Sequence, residues 1–325
     1  MKLSTRDRSL LAACEYFPDK SAEQLARELR WKSSTVAYRL RRLRDEGIIK
    51  RRAFINVMQL GVQDFALYFS LASASPKLHS AIVSELRRSD RIAWVGTLAG
   101  DYQFQICYYA TNSWDFAAFL ERISDRFPGA FAEKAVAPRL AYHRYPRRYL
   151  STSVRRMAGP VLSLRYQAPV AVDALDRRLL QILSTQAEDS LRALSQKLAV
   201  PLTTIERRLK ALERSGVIAG YYYEIPLSAL AVESYRILLY VRGVTRQLRR
   251  AIQEFCQRHL RVTFLIETLG AWDFEVGVET EKALKVMQIV RELYDLCGLH
   301  LMSVKVLTEL EELESRYFPF TESSG

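Results

Sequence analysis

Ser33-Ser34-Thr35-Val36-Ala37-Tyr38-Arg39-Leu40-Arg41-Arg42-Leu43, running on through Arg44-Asp45-Glu46-Gly47-Ile48-Ile49-Lys50-Arg51-Arg52, decides how the rest of the chain is read. Val36, Leu40 and Leu43 recur at the spacing of one buried helix face. At about 100° per residue, Ser34, Thr35, Tyr38, Arg41 and Arg42 fall on the opposite side. Residues 32–52 hold eight Lys/Arg against two acids. A hydroxyl-led helix with a basic outer face suits the phosphates of a duplex. A solvated Arg-rich face has the same composition, so this stretch alone leaves both readings open.

Upstream, Asp7 to Cys14 begins a first helix with an acid near its positive end. Ser21-Ala22-Glu23-Gln24 has the form of a capping box and opens a second, with Ala22, Leu25, Ala26 and Leu29 on one face. Arg30-Trp31-Lys32 is the turn into the third helix, and Gly47 ends that helix as a left-handed cap would. Ile48-Ile49 and Phe54-Ile55 bracket a short basic strand, a wing. Three short helices with a basic third is a helix-turn-helix layout.

Composition sets the outer bounds. The chain has 325 residues, 49% hydrophobic and 26% charged, an ordinary globular balance for two to four domains. The formal charge of +12 favours polyanionic partners. No run of about 18 apolar residues exists and the N-terminus does not read as a signal peptide, so a cytoplasmic protein with no membrane partner is expected. Cys14, Cys107, Cys256 and Cys297 are scattered and read as buried thiols in a reducing compartment. No cofactor-binding, metal-binding or hydrolase motif is present, and no cofactor is expected.

Downstream the grammar changes. Phe65–Ala72 reads as a strand, Lys77–Arg88 as a helix, Arg91–Leu98 and Tyr102–Tyr109 as strands around a turn at Ala99-Gly100-Asp101, and Trp114–Arg126 as a helix. Phe131–Tyr142 reads as a last strand, although Pro138 weighs against it. The order β-α-β-β-α-β is the ferredoxin-like split sandwich. Residues 146–172 contain Pro146, Gly159, Pro160 and Pro169, lie in an acid-free basic run and read as a linker.

The chain then repeats itself. Val36, Arg39, Leu40, Leu43 and Gly47 recur as Ile205, Arg208, Leu209, Leu212 and Gly216, displaced by 169, and Gly270 follows Gly100 by 170. The expected fold class is α+β, two copies of a winged helix-turn-helix followed by a βαββαβ sandwich. The expected boundaries are 1–57 for the first winged head, 60–145 for the first sandwich, 173–226 for the second head and 230–316 for the second sandwich. An acidic run, Glu309, Glu311, Glu312 and Glu314, reads as a tail after the last strand.

Arg39-Leu40-x-x-Leu43-x-x-x-Gly47-Ile48-Ile49 with Gly100-Asp101-Tyr102, and Arg208-Leu209-x-x-Leu212-x-x-x-Gly216-Val217-Ile218 with Gly270-Ala271-Trp272-Asp273, resemble the Lrp/AsnC (feast/famine) transcription regulators. The resemblance spans nearly the whole chain, in the manner of a tandem fusion. It implies double-stranded DNA as partner, homo-oligomeric assembly, and an amino-acid effector sensed through the sandwich. On the helical wheel and on the resemblance together, Ser34, Thr35, Tyr38, Arg41 and Arg42 are candidate DNA contacts, with Lys50, Arg51 and Arg52 on the wing. Thr203, Thr204, Arg207 and Lys210 are their counterparts in the second head. Residues 201–225 hold only four bases against three acids, and the second wing is Tyr221-Tyr222-Tyr223. The first head should therefore supply most of the salt-dependent affinity. Gly100, Asp101, Gly270 and Asp273 are the candidate effector residues, with Gly100 and Gly270 also suited to tight turns.

One enzyme class competes. Siroheme decarboxylases share this two-module architecture and act on a tetrapyrrole, whose carboxylates call for His and Arg. Here the candidates are His143, Arg144, Arg147 and Arg148. The basic outer face of the third helix favours the regulator.

Overall fold

Ser4 and Asp7 close a reciprocal capping box that starts α1 (Thr5–Tyr16), and Ser21 with Gln24 does the same for α2 (Ala22–Leu29). In this computed structural model, which describes residues 3–320 apart from 74, 152–161, 186, 188, 189, 317 and 319, α3 (Ser33–Asp45) follows. It buries Val36, Leu40 and Leu43 against Leu10, Leu11 and Leu25. Gly47 takes φ +68° and ends the helix. A strand β1 (Lys50–Ile55) leads out of this head.

The first sandwich is β2 (Gln63–Leu71), α4 (Pro76–Arg88), β3 (Ile92–Ala99), β4 (Phe104–Ala110), α5 (Ser113–Arg126) and β5 (Phe131–Arg144). The period-2 alternation of β2 sorts its side chains. Phe65, Leu67 and Phe69 meet α4 and α5, while Ala66 and Tyr68 face the other way. After a short β6 (Leu162–Arg165), the second copy brings α6 (Ala174–Thr185), α7 (Leu191–Leu198), α8 (Leu202–Arg214), β7 (Ile218–Glu224) and a single turn α9 (Leu227–Leu230). Its sandwich is β8 (Glu233–Val241), α10 (Arg246–Arg258), β9 (Val262–Thr268), β10 (Phe274–Thr280), α11 (Ala283–Cys297) and β11 (Leu301–Ser315). This bears out the α+β class and the duplicated architecture.

The two sandwiches share one sheet. Its order is β2-β4-β3-β11-β8-β10-β9-β5-β6, and β5 also pairs with β2, so all strands but β6 close into a ring. Two long strands make the joins. β5 runs beside β2 up to Arg139 and beside β9 from there on. Pro138 sits at this handover, where its missing N–H costs the ladder least, and its carbonyl accepts from Leu269. β11 runs beside β8 through Glu309 and beside β3 from Thr308. The acidic run is therefore not a tail but the second half of β11, zipped to the first sandwich. Closure leaves few exposed edges, which is the usual solution to the edge-strand problem.

The stretch 146–172 also departs from its reading as a bare linker. Leu150 is buried in the core of the first head, and β6 pairs with Ala141–Arg144 of β5. Residues 152–161 of that stretch lie outside the described residues.

The wings depart furthest. β1 and β7 pair with each other, antiparallel, as a two-stranded ribbon between the heads. The chain then crosses over. Ala53, Ile55 and Val57, which follow the first head, pack into the core of the second beside Leu179, Leu180 and Leu209. Tyr223, Ile225 and Leu230, which follow the second, pack beside Leu10, Leu11 and Leu40 of the first. Each head is completed by a strand that leaves the other.

Candidate nucleic-acid interface

α3 presents Ser34, Tyr38 and Arg41 to solvent, Tyr38 at 66% exposure, with Thr35 half-buried beside them. α1 and α2 close their N-termini with side chains, whereas α3 begins at Lys32 with no side-chain cap. Its leading N–H groups and hydroxyls are thus placed to receive a phosphate oxygen.

Arg42 is corrected. Its Nη2 lies 2.7 Å from Asp7 Oδ1, and Arg39 Nη1 lies 2.7 Å from the same atom. Asp7 is 2% exposed. Burial works against its ionisation, but hydrogen bonds from Ser4 and the guanidiniums of Arg42 and Arg39 prevail and hold its carboxyl at about 2. Arg42 thus clips α3 onto α1 instead of reaching outward. Because the folded-state pKa is depressed, this stabilisation is present above pH 4 and lost as pH falls towards 2. Asp7→Asn should cost the first head about 2 kcal/mol at pH 7 and little at pH 2. Acid titration of denaturant midpoints, with Trp31 as the fluorescent reporter in that head, measures it. A pH-independent cost would refute the clip.

α8 presents Thr203, Arg207 and Lys210 outward, with Thr204 half-buried. Here Lys210 Nζ is held 2.7 Å from Glu206, one turn back. The structural clip is repeated. Arg208 reaches Asp176 at 3.2 Å and Asp173 at 2.7 Å, the counterpart of Arg39 on Asp7. Ala211 stands where Arg42 stands in the first head. Burial raises the Asp176 carboxyl, the opposite direction to Asp7. The recurrence of Asp and Arg at the same displacement of 169 was the signal from which this clip was legible.

Two of the three wing bases are also corrected. Arg51 donates to the Pro18 and Ala187 carbonyls at 2.9 Å, pairs with Asp19 and lies 3.9 Å over the Tyr221 ring. Arg52 pairs with Glu224 at 2.6 Å and donates to the Ser184 carbonyl. Both fasten the ribbon to the heads. Lys50 remains exposed at the start of β1.

The hairpin residues have structural work. Gly100 and Gly270 take φ +123° and +120°. A Cβ on Gly100 would stand 3.0 Å from the Val306 carbonyl, and one on Gly270 3.3 Å from that of Val136, so each hairpin sits directly against the other copy's long strand. Asp273 accepts the Val241 N–H at 2.7 Å, and Asp101 pairs with Lys305 at 2.9 Å. Tyr68, Tyr102 and Trp272 pack together on the inner face of the closed sheet there. The four residues lie in two symmetry-like turns, each backed by the other copy's long strand, with Gly100, Asp101 and Gly270 exposed.

The His143–Tyr149 cluster is tied to acids and carbonyls of other elements, and its Arg144 and Arg147 also line a cavity of about 490 Å³. His143 is buried, with Nδ1 2.8 Å from Ser163 Oγ and Nε2 3.2 Å from Glu267. Arg147 is held by Glu15 at 2.7 Å and by Glu279 at 2.8 Å, while Tyr149 donates to Glu279 and Arg148 to the Gln257 carbonyl. A second buried network, Asp64–Arg139–Glu275–Arg236–Glu309, escaped the sequence reading. Its signal was present as charges on the inward positions of alternating strands, Arg236 in Tyr235-Arg236-Ile237 and Glu275 in Phe274-Glu275-Val276.

Comparison with known proteins finds matches to both heads. A winged helix-turn-helix DNA-binding profile covers residues 5–50 and 172–219. An uncharacterized HTH-type transcriptional regulator of Pyrococcus horikoshii is 26% identical over 150 residues, 46% of this chain and 99% of its own length. The HTH-type transcriptional regulator LrpA of the same organism is 37% identical over 54 residues, 17% of this chain and 38% of its own. Among solved structures, the siroheme decarboxylase NirDL superimposes with a TM-score of 0.62 over 96% of this chain and 93% of its own, at 10% identity, a likeness of fold. Among the described residues no helix is long and apolar enough to cross a membrane.

Proposed function

We propose that the chain, which carries two winged helix-turn-helix modules and is similar to HTH-type transcriptional regulators including LrpA, is a tandem regulator of the Lrp/AsnC type that reads an asymmetric DNA site with two unequal heads. The observation that carries this is the difference between the two outer faces. α3 offers Arg41 and Tyr38, while at the corresponding positions α8 offers Lys210, bound to Glu206, and Arg207. The buried stripes are the same and the readers are not. A homodimer of single units presents identical faces to a palindrome. Here the ribbon and the closed sheet hold two different faces in a dimer-like arrangement within one chain, so the site need not be palindromic. The first head supplies most of the electrostatic affinity, and the second adds a weaker, differently specific contact.

The engagement of His143, Arg144 and Arg147 with internal carboxylates favours this reading over a tetrapyrrole-binding enzyme. Selection of bound fragments from a random duplex library at two salt concentrations tests it. The expected result is a bipartite motif with dissimilar half-sites about one helical turn or a multiple apart, and enrichment that falls as salt rises. A palindromic motif, or recovery independent of salt, would overturn it.

A further inference from the structure

The two copies treat one edge of the sheet differently. β6 lies antiparallel against β5, with Ala141, Tyr142, His143 and Arg144 opposite Arg165, Leu164, Ser163 and Leu162. Displaced by 170, the same stretch of the second copy is Glu311, Glu312, Leu313 and Glu314 of β11. One side of it pairs with Thr97, Gly96 and Val95 of β3. On the other side the pairing with β8 stops at Glu309, and among the described residues no strand takes over from it.

The space beside this edge differs in the same way. β6 and the residues after it fill the cleft between the second head and the sheet. Leu164 packs against Phe54, Met58 and Tyr222, and Asn56 donates to the Arg165 carbonyl. Gln59 donates to Gln167 and to the Ser215 carbonyl at the end of α8. The equivalent cleft, between the first head and the sheet, is a cavity of about 490 Å³. Its walls repeat the same positions: Gly47 stands for Gly216, Pro226 for Asn56, and Glu311 and Glu312 for Ala141 and Tyr142. An unpaired strand edge beside a cavity is a template for an added strand, the backbone supplying hydrogen bonds and the cavity taking alternate side chains. The Leu313 carbonyl already accepts from Arg87 of α4 at 2.7 Å, so the open part is centred on Glu311 and Glu312.

Charge decides what fits there. Glu309, Glu311 and Glu312 line the cavity, with Glu224 of the ribbon. Glu309 is held by Arg236 and Glu224 by Arg52, but Glu311 is exposed and makes no ion pair among the described residues. Burial pushes the Glu312 carboxyl up, against a hydrogen bond from Trp94, and the neighbouring Glu224 and Glu309 charges push it further. A basic group would offset all three. The chain carries +12 overall, so this acidic edge is a local exception. A second copy of the chain, edge to edge, would set like charges against each other, and so would nucleic acid.

We propose that this cleft receives an extended segment of a partner protein, which adds a strand to β11 at Glu311 and Glu312. Its basic side chains meet the glutamates, and an apolar one lies against Leu310, 63% exposed, and Leu227. The contact does not depend on the DNA-binding reading.

Anisotropy titration of the full chain with a fluorescein-labelled peptide of about eight residues, alternating valine and lysine, tests it. Saturable binding with a Kd of about 100 μM or tighter is expected. A peptide alternating valine and glutamate should not bind. One with a central proline, which lacks the N–H, should bind at least about tenfold more weakly. Glu311→Lys should weaken binding about fivefold or more. Leu227→Trp, which fills the cavity from another wall, should weaken it about tenfold. Melting curves confirm that both variants fold. Amide exchange at Glu311 and Glu312 should slow in the complex. No saturable binding up to about a millimolar, equal binding of either control peptide, or binding unchanged in either variant would overturn the proposal. So would protection that changes at β6 instead, since the peptide would then be displacing β6. Sedimentation as a dimer that Glu311→Lys disperses would put a second copy at this edge and overturn the assignment to a partner's segment.

Discussion

Arg147→Ala is expected to destabilise the protein by about 3–5 kcal/mol, the cost of removing one partner from a buried ion pair. Arg147 is 7% exposed and sits between Glu15 of α1 and Glu279 of β10, with its own N–H also donating to Glu15 at 3.1 Å. Burial alone would disfavour its charge, but Glu279 and Glu15 outweigh it and raise its pKa well above the ordinary value. Removing it leaves two carboxylates, 8% and 5% exposed, with only Arg144, 3.9 Å from Glu15, and the Tyr149 hydroxyl on Glu279 to offset them. Equilibrium unfolding in urea measures the loss. Adding Glu15→Gln and Glu279→Gln to the same chain should recover most of it, because the uncompensated charge is what costs. A loss under about 1 kcal/mol, or no recovery in the triple variant, would show that the cluster is solvated and not structural.

The cluster matters beyond stability. Glu15 belongs to the first head and Glu279 to the second sandwich, and the residue between them lies in the stretch that joins the copies. With the crossed ribbon, it fixes the first head to the far half of the chain. Arg147, one of the basic residues that invited an enzymatic reading, thus ties the first head to the second sandwich.

Periodicity and repetition carried most of the fold. The stripes Val36-Leu40-Leu43 and Ile205-Leu209-Leu212 are buried as their spacing demands, and the Ser21–Gln24 box opens α2. The pairing of distant strands was not legible. An alternating strand announces which face is buried but not what covers it, so the wings were given to DNA when β1 and β7 cover each other. For the same reason Glu309–Glu314 read as a tail. Its charges alternate poorly with apolar residues, and only the pairing with β3 makes it a strand. The exposed half of the interface was legible because solvent-facing positions follow from helical geometry alone. Arg42, Arg51 and Arg52 were misread because a guanidinium reaches about as far inward as outward. Which way it turns depends on acids and carbonyls contributed by other elements, here Asp7, Asp19 and Glu224.

What remains on the outer faces sets up a sharper contrast than charge counting did. Arg41 and Lys210 occupy the same position in the two heads, displaced by 169, and the residue one turn back is Ala37 in one and Glu206 in the other. Glu206 holds Lys210 Nζ at 2.7 Å on an exposed surface. It neutralises the base locally and would also face the phosphates as a like charge. Arg41→Ala should therefore weaken duplex binding about tenfold or more and reduce the salt slope by about one ion. Lys210→Ala should change affinity less than about threefold, since its ammonium is already turned to Glu206 instead of the duplex. The opposite substitution is the stricter test. Glu206→Ala releases Lys210 and makes α8 resemble α3, so it should strengthen binding severalfold and steepen the salt dependence by about one ion. Both are read from titrations of a fluorescent duplex across a salt series. Weaker binding in Glu206→Ala, or equal losses for Arg41→Ala and Lys210→Ala, would mean that the two heads contribute alike and that their inequality is not what this fusion preserves.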